Sequence, residues 1–167
     1  MASDNDPSAS LKAFCKVLEE KAFRYVLAKE TGRASRYQHF FSVCLVRPDV
    51  GTAGDGQDVR RVVAEKITEL LRNTDIVGEL EGETAILLLH TTEADAVRVA
   101  ERIRTVIGHV DFSSAPGLTA PRITLSVGEA SFPDHGASHR ALVSRARAHL
   151  DEASRRGGNQ VVHSLAG

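Results

Sequence analysis

A chain of 167 residues with 42% hydrophobic composition holds one compact domain with a real core and leaves no comfortable room for a second. Its 21 basic and 22 acidic residues, net charge −1, lack the electrostatic footprint of a protein that coats nucleic acid or an anionic membrane, so small molecules and proteins are the expected partners. No apolar run approaches the roughly 20 residues of a bilayer span, and Cys15 and Cys44 sit inside apolar segments rather than in a spaced framework, which reads as a reduced, cytoplasmic chain without membrane insertion.

In chain order, residues 1–10 (M-A-S-D-N-D-P-S-A-S) are small and polar and form a disordered lead to the domain expected over residues 11–167. From Leu11, the apolar residues Phe14, Cys15, Leu18, Ala22, Tyr25 and Val26 recur at helical spacing, and Gly32 supplies a stop. Phe14, Leu18, Phe23 and Leu27 cover more than one face of that helix and offer a surface for self-association or a partner protein. Phe40–Val46 is β-branched and aromatic enough for a buried strand, ended by Arg47-Pro48-Asp49. A glycine-rich loop, Gly51–Gly56, leads to a helix whose buried face is Val59, Val62, Val63, Ile67, Leu70 and Leu71.

Beyond Asp75 the apolar period changes. Ile76–Leu80 and Thr84–His90 read as a hairpin whose three-residue turn is Glu81-Gly82-Glu83, with the two glutamates expected in solvent. Thr92 and Asp95 form a capping pair before a helix with the stripe Ala96, Val99, Ala100, Ile103, Val106 and Ile107, stopped by Gly108. Arg122–Ser131 alternates as a strand. Leu142, Val143, Ala146, Leu150 and Ala153 mark a last helix, with Arg140, Arg145, Arg147, Arg155 and Arg156 on its solvated face. Gln160–His163 closes the chain as a strand. This order, α-β-α-β-β-α-β-α-β, predicts an α/β fold with helices packed on a mixed sheet. The seven histidines show no metal-ligand spacing.

Four stretches in order carry a resemblance: R-N-T-D-I-V-G-E-L-E-G-E-T-A-I-L-L-L from Arg72, A-D-A-V-R-V-A-E-R-I-R, I-T-L-S-V-G-E-A, and G-G-N-Q-V-V. Together they resemble the GGDEF domain, the diguanylate cyclase family, over roughly Leu11 to His163. The resemblance implies a nucleotide-cyclase, palm-like mixed sheet. It places the Gly-Gly-Asp/Glu-Glu-Phe signature, where GTP phosphates approach and acids hold magnesium, on Glu81, Gly82, Glu83, Thr84 and Ala85. Glu81 adds bulk and negative charge where a backbone must approach polyphosphate, Thr84 removes the second acid and Ala85 the aromatic. The family's other metal-holding aspartate, at the end of the first strand, is replaced by Val46-Arg47-Pro48. Most of its substrate-holding lobe is absent between Val46 and Gly54-Asp55, and its phosphate-contacting lysine aligns with Ser154.

No residue is therefore assigned a catalytic or metal-holding role, and no cofactor is expected. Arg72-Asn73-Thr74-Asp75 ends six residues before the hairpin tip, as does the family's Arg-x-x-Asp inhibitory site for cyclic di-GMP, and Ala100-Glu101-Arg102 resembles the segment carrying that site's second arginine. An aspartate accepts from two adjacent guanine N–H groups and an arginine fork donates to O6 and N7 or to phosphate. The resemblance thus implies an inactive domain that binds cyclic di-GMP through Arg72, Asp75 and Arg102. The alternatives are an interaction or dimerisation module without nucleotide, a residual cyclase, and purely structural roles: Arg72 complementing its helix's carbonyl end, Asp75 closing a turn.

Overall fold

The computed structural model describes residues 17–50, 56–118 and 121–164. The expected lead, the helix positions Leu11, Phe14 and Cys15, and the loop residues 51–55 lie outside them. The elements follow the expected order: α1 (Glu20–Tyr37), β1 (Phe41–Asp49), α2 (Gly56–Leu70), β2 (Ile76–Leu80), β3 (Glu83–Leu89), α3 (Glu93–His109), β4 (Thr124–Phe132), α4 (His139–Arg155) and β5 (Gln160–Val162). The strands form one sheet ordered β2-β3-β1-β4-β5, antiparallel except for the β4–β5 pair.

β1 lies at the centre and is buried on both faces, so its apolar residues are continuous rather than alternating. Cys44 and Val46 point into the core made with α2 and α3, through Val63, Ile67, Ile103 and Ile107. Val43 and Leu45 point into the opposite core, made with α1 and α4 through Phe23, Leu27, Leu142 and Leu150. Gly128 on β4 is what lets α4 settle there: a Cβ at that position would lie 2.2 Å from both the Ala146 carbonyl oxygen and the Leu150 nitrogen.

Four sequence expectations are corrected. Leu18 is not helical; its N–H donates to the Val77 carbonyl at 2.9 Å and its carbonyl accepts from Glu79 N–H at 2.8 Å, a short parallel bridge that covers the outer edge of β2. Gly32 does not stop α1, because it faces open space and a lone helical glycine costs only about 1 kcal/mol; the helix ends where Gln38 turns left-handed (φ 54°) and donates to the Ala34 carbonyl. Phe23 and Leu27 are core residues, so the apolar face expected to dock a partner is largely internal. The strand β1 also runs through Arg47-Pro48-Asp49. Its pairing with β3 stops at Val46, so the proline interrupts no ladder on that side, while β4 continues to partner it as far as Asp49. Among the described residues no helix is long and apolar enough to cross a membrane.

Candidate functional site

Two places at opposite ends of β2 carry the polar chemistry suggested by the sequence, the β2–β3 hairpin tip and the corner where α2 meets β2. At the tip, Leu80 pairs directly with Glu83, leaving a two-residue turn of Glu81 (φ 52°) and Gly82 (φ 79°) instead of three. Positive φ at both positions is the primed turn whose twist matches a hairpin, and Gly82 takes it without a steric cost.

The turn is held by arginines from three elements. Arg60 of α2 donates to the Gly82 carbonyl, and Arg147 of α4 donates to the Glu81 carbonyl at 3.1 Å and to its Oε2 at 3.3 Å. Arg24 of α1 reaches Glu81 Oε1 at 3.4 Å.

Glu83 is not a solvated turn residue. It begins β3 with its side chain 10% exposed, and its Oε1 accepts from Arg47 Nη2 at 2.6 Å, Arg47 Nε at 2.9 Å and Arg147 Nη1 at 2.9 Å. The same Arg47 guanidinium donates to Asp151 at 3.1 Å and Ser154 Oγ at 3.0 Å. Burial works against its charge, but the hydrogen bonds and charges of Glu83 and Asp151 outweigh that and raise its pKa above the ordinary arginine value. Thr84 and Ala85, the last two signature positions, are buried strand residues opposite Val46 and Leu45.

These residues do not fit the magnesium that the signature implies. The carboxylate that would coordinate it is saturated on one oxygen by three N–H donors, and a fixed cation occupies the strand position where a second acid is required. Among the described residues no group of three or more His, Cys, Asp or Glu side chains is placed to hold a metal ion. Beside the tip lies a cleft of about 790 Å³ lined by Asp58, Arg60, Arg61, Glu65, Glu79 and Glu83. Arg61 is engaged there by Glu65 at 3.1 Å, so the cleft is a mosaic of both charges rather than a cationic cradle for polyphosphate.

The α2–β2 corner brings Arg72, Asp75 and Arg102 together. Arg72 N–H donates to Asp75 Oδ2 at 3.1 Å and Asp75 N–H donates to the Arg72 carbonyl at 3.1 Å, a reciprocal closure that sets Asp75 just before β2. Burial raises the pKa of Asp75, opposed by the Arg72 N–H and by the charges of Arg72 and Arg102. Arg102 reaches across from α3 and donates to the Leu70 carbonyl at 2.8 Å, so it serves the open carbonyl end of α2.

Sequence reasoning missed Arg147 and Asp151, taking the arginines of α4 as solvated. No local motif marks Arg147, which faces Glu83 only through the packing of α4 on the sheet. A usable signal was Glu83 itself, because a carboxylate at the first position of a central strand requires a cation from elsewhere in the chain.

A palm-like mixed sheet with a signature hairpin and an Arg-x-x-Asp corner defines the class, and comparison with known proteins agrees. Residues 53–160 match the family model described as "Diguanylate cyclase, GGDEF domain", and the chain belongs to that family. It is 31% identical over 112 residues to the response regulator PleD of Caulobacter vibrioides, a match spanning 66% of this chain and 25% of PleD. In structure it is similar to the GGDEF domain of YfiN (TpbB) from Pseudomonas aeruginosa, with TM-score 0.76, 25% identity, and 92% of this chain and 99% of that one covered. It also shares the fold of the GGDEF domain of DgcB from Caulobacter crescentus, solved in complex with c-di-GMP, with TM-score 0.77 at 21% identity and 90% of each chain covered.

Proposed function

We propose that this chain is a catalytically inactive GGDEF domain that acts as a receptor for cyclic di-GMP, taken up at Arg72, Asp75 and Arg102, and hands the signal to a partner protein. The observation that supports it best is the juxtaposition of those three side chains at one open corner, two of them arginines with further donors to offer. One Asp75 oxygen is engaged by Arg72 N–H, and the other is available to a guanine edge; Arg102 uses one of its five N–H donors on Leu70. The c-di-GMP complex of the DgcB domain supports the ligand class. Loss of catalysis follows from the Arg47–Glu83–Arg147 cluster, because phosphoryl chemistry in a two-metal site needs oxygen ligands free to hold cations.

Calorimetric titration with cyclic di-GMP tests the receptor. Heat is expected with the native chain and none with Arg72→Ala or Asp75→Ala, while GTP with magnesium or manganese gives no turnover. Absence of heat at millimolar ligand overturns the receptor reading. One observation favours a second reading, an interaction module without nucleotide: Asp75 and Arg102 already serve backbone groups in the folded domain. Its contact would be the outer face of α1 and the residues just after it, where Tyr25, Tyr37 and Phe40 are 63%, 59% and 44% exposed.

A further inference from the structure

Toward the other end of β1 lies a polar chain that none of the chemistry above uses. Glu129 of β4 is wholly buried and stands directly opposite Cys44, so it shares the core face covered by α3. Its Oε1 is hydrogen-bonded to Ser131 Oγ; Ser131 Oγ lies 2.8 Å from Ser42 Oγ on β1; and Ser42 Oγ lies 3.0 Å from the carbonyl oxygen of Thr91, between β3 and α3. Glu129 Oε2 has no hydrogen-bond partner among the described residues.

Each of these three contacts needs one proton. The two serine hydroxyls supply two, and the Thr91 carbonyl supplies none. With an ionised Glu129, every arrangement leaves one pair of oxygens face to face without hydrogen. If Ser131 donates to Glu129 and Ser42 to Thr91, the two serine oxygens repel at 2.8 Å. If instead Ser42 donates to Ser131, it confronts the Thr91 carbonyl. Only a proton on Glu129 completes the set. The unpartnered Oε2 is then a neutral carbonyl rather than half of a buried charge, which is far cheaper to leave unpaired.

We propose that Glu129 is a neutral carboxylic acid in the folded protein and the first donor of a relay, Glu129 to Ser131 to Ser42 to the Thr91 carbonyl, whose loss on deprotonation loosens the joint between β1, β4 and the β3–α3 turn. The relay makes the domain sensitive to pH in the neutral range. Burial, helped by the charge of Glu93 at the start of α3 and opposed by Ser131, Ser42 and His163, pushes the Glu129 pKa up to about 7. The other titratable groups facing the joint are Cys44, whose thiol pKa is pushed up by burial and by Glu129, His149 of α4, whose Nδ1 meets the Glu129 carbonyl at 2.6 Å, and His135, 3.9 Å from Glu93.

The test is carbon-13 NMR of the full chain labelled at glutamate side-chain carboxyls, titrated with pH, a region in which histidines give no signal. One carboxyl is expected to remain protonated past pH 6 with a midpoint near 7, and to vanish in Glu129→Gln, whose amide N–H replaces the acid proton toward Ser131 and keeps the relay. If every glutamate of the native chain titrates near the ordinary value of about 4.3, the proposal is overturned without recourse to any variant. Persistence of the near-neutral signal in Glu129→Gln overturns the assignment equally.

Discussion

Replacing Glu83 by Gln tests whether the hairpin tip is a closed ionic cluster rather than a vacant catalytic site. The Glu83 side chain is 10% exposed, against 31% for Arg47 and 23% for Arg147, and three N–H groups converge on its Oε1. Breaking a buried ion pair by removing one partner costs about 3–5 kcal/mol when the remaining charge is left uncompensated. Here both arginines keep other acceptors, Asp151 and Ser154 for Arg47 and the Glu81 carbonyl for Arg147, and both are partly solvated, which reduces the expected loss to about 2 kcal/mol. Urea unfolding of Glu83→Gln, Arg47→Met and the double variant should return a coupling energy of about 1–2 kcal/mol, above the roughly 0.5 kcal/mol of an exposed pair such as Lys66–Glu69. Magnesium and manganese should leave the midpoint of the native chain unchanged, since an ion that binds only the folded state would raise it by mass action. A loss below about 0.5 kcal/mol for Glu83→Gln, or a clear metal-dependent gain in the native chain, would refute the reasoning.

Rewriting Glu81-Gly82-Glu83-Thr84-Ala85 as Gly-Gly-Asp-Glu-Phe is expected to give no cyclic di-GMP from GTP, because Arg47 still opposes a divalent ion; multiple turnover by the rewrite would show that the lock does not silence the site. Cyclic di-GMP at a hundred times its dissociation constant should stabilise the native chain by about 2.7 kcal/mol, and Asp75→Ala should erase the corresponding rise in melting temperature. For Glu129, whose pKa rises from 4.5 to about 7 on folding, the folded state holds the extra proton, so its contribution to stability falls by about 3 kcal/mol as pH rises through that window. Buried His149, with a lowered pKa, opposes this by losing stability as pH falls, so the measurement is the difference between native and Glu129→Gln unfolding curves across pH, and a difference that is flat would count against the relay. Gly128→Ala should cost several kcal/mol by denaturant unfolding, since its Cβ would meet α4 backbone that cannot step aside; a loss under about 1 kcal/mol would mean that α4 is free to shift.

The order of elements was legible because each buried stripe has its own period. The residues Ala96, Ala100, Ile103 and Ile107 declare a helix without help from the rest of the chain, and Thr92 caps it as its spacing with Asp95 suggests. Boundaries failed where tertiary partners decide them. Leu18 carries a helical pattern but is taken by the free edge of β2, and Pro48 looks like a strand terminator until one sees that β3 has already left β1 at Val46. Gly32 failed as a stop because only the C-cap geometry at Gln38 ends the helix.

The site divides along the same line. Arg72 and Asp75 are legible because they are three residues apart and close their own turn, a local arrangement that sequence spacing can express. Arg102 joins them through the packing of α3 beside α2, which a resemblance can suggest and spacing cannot. The hairpin cluster is the reverse case. The partners of Glu83 arrive from β1 and from α4, positions 47 and 147, in no common motif. Arg47 on β1 and the burial of Glu83 go together: with Arg47 in place, a buried Glu83 carboxylate is compensated within the fold. The α2–β2 turn shares none of those side chains, so substitutions in the hairpin cluster and at the Arg72–Asp75 corner are expected to act independently.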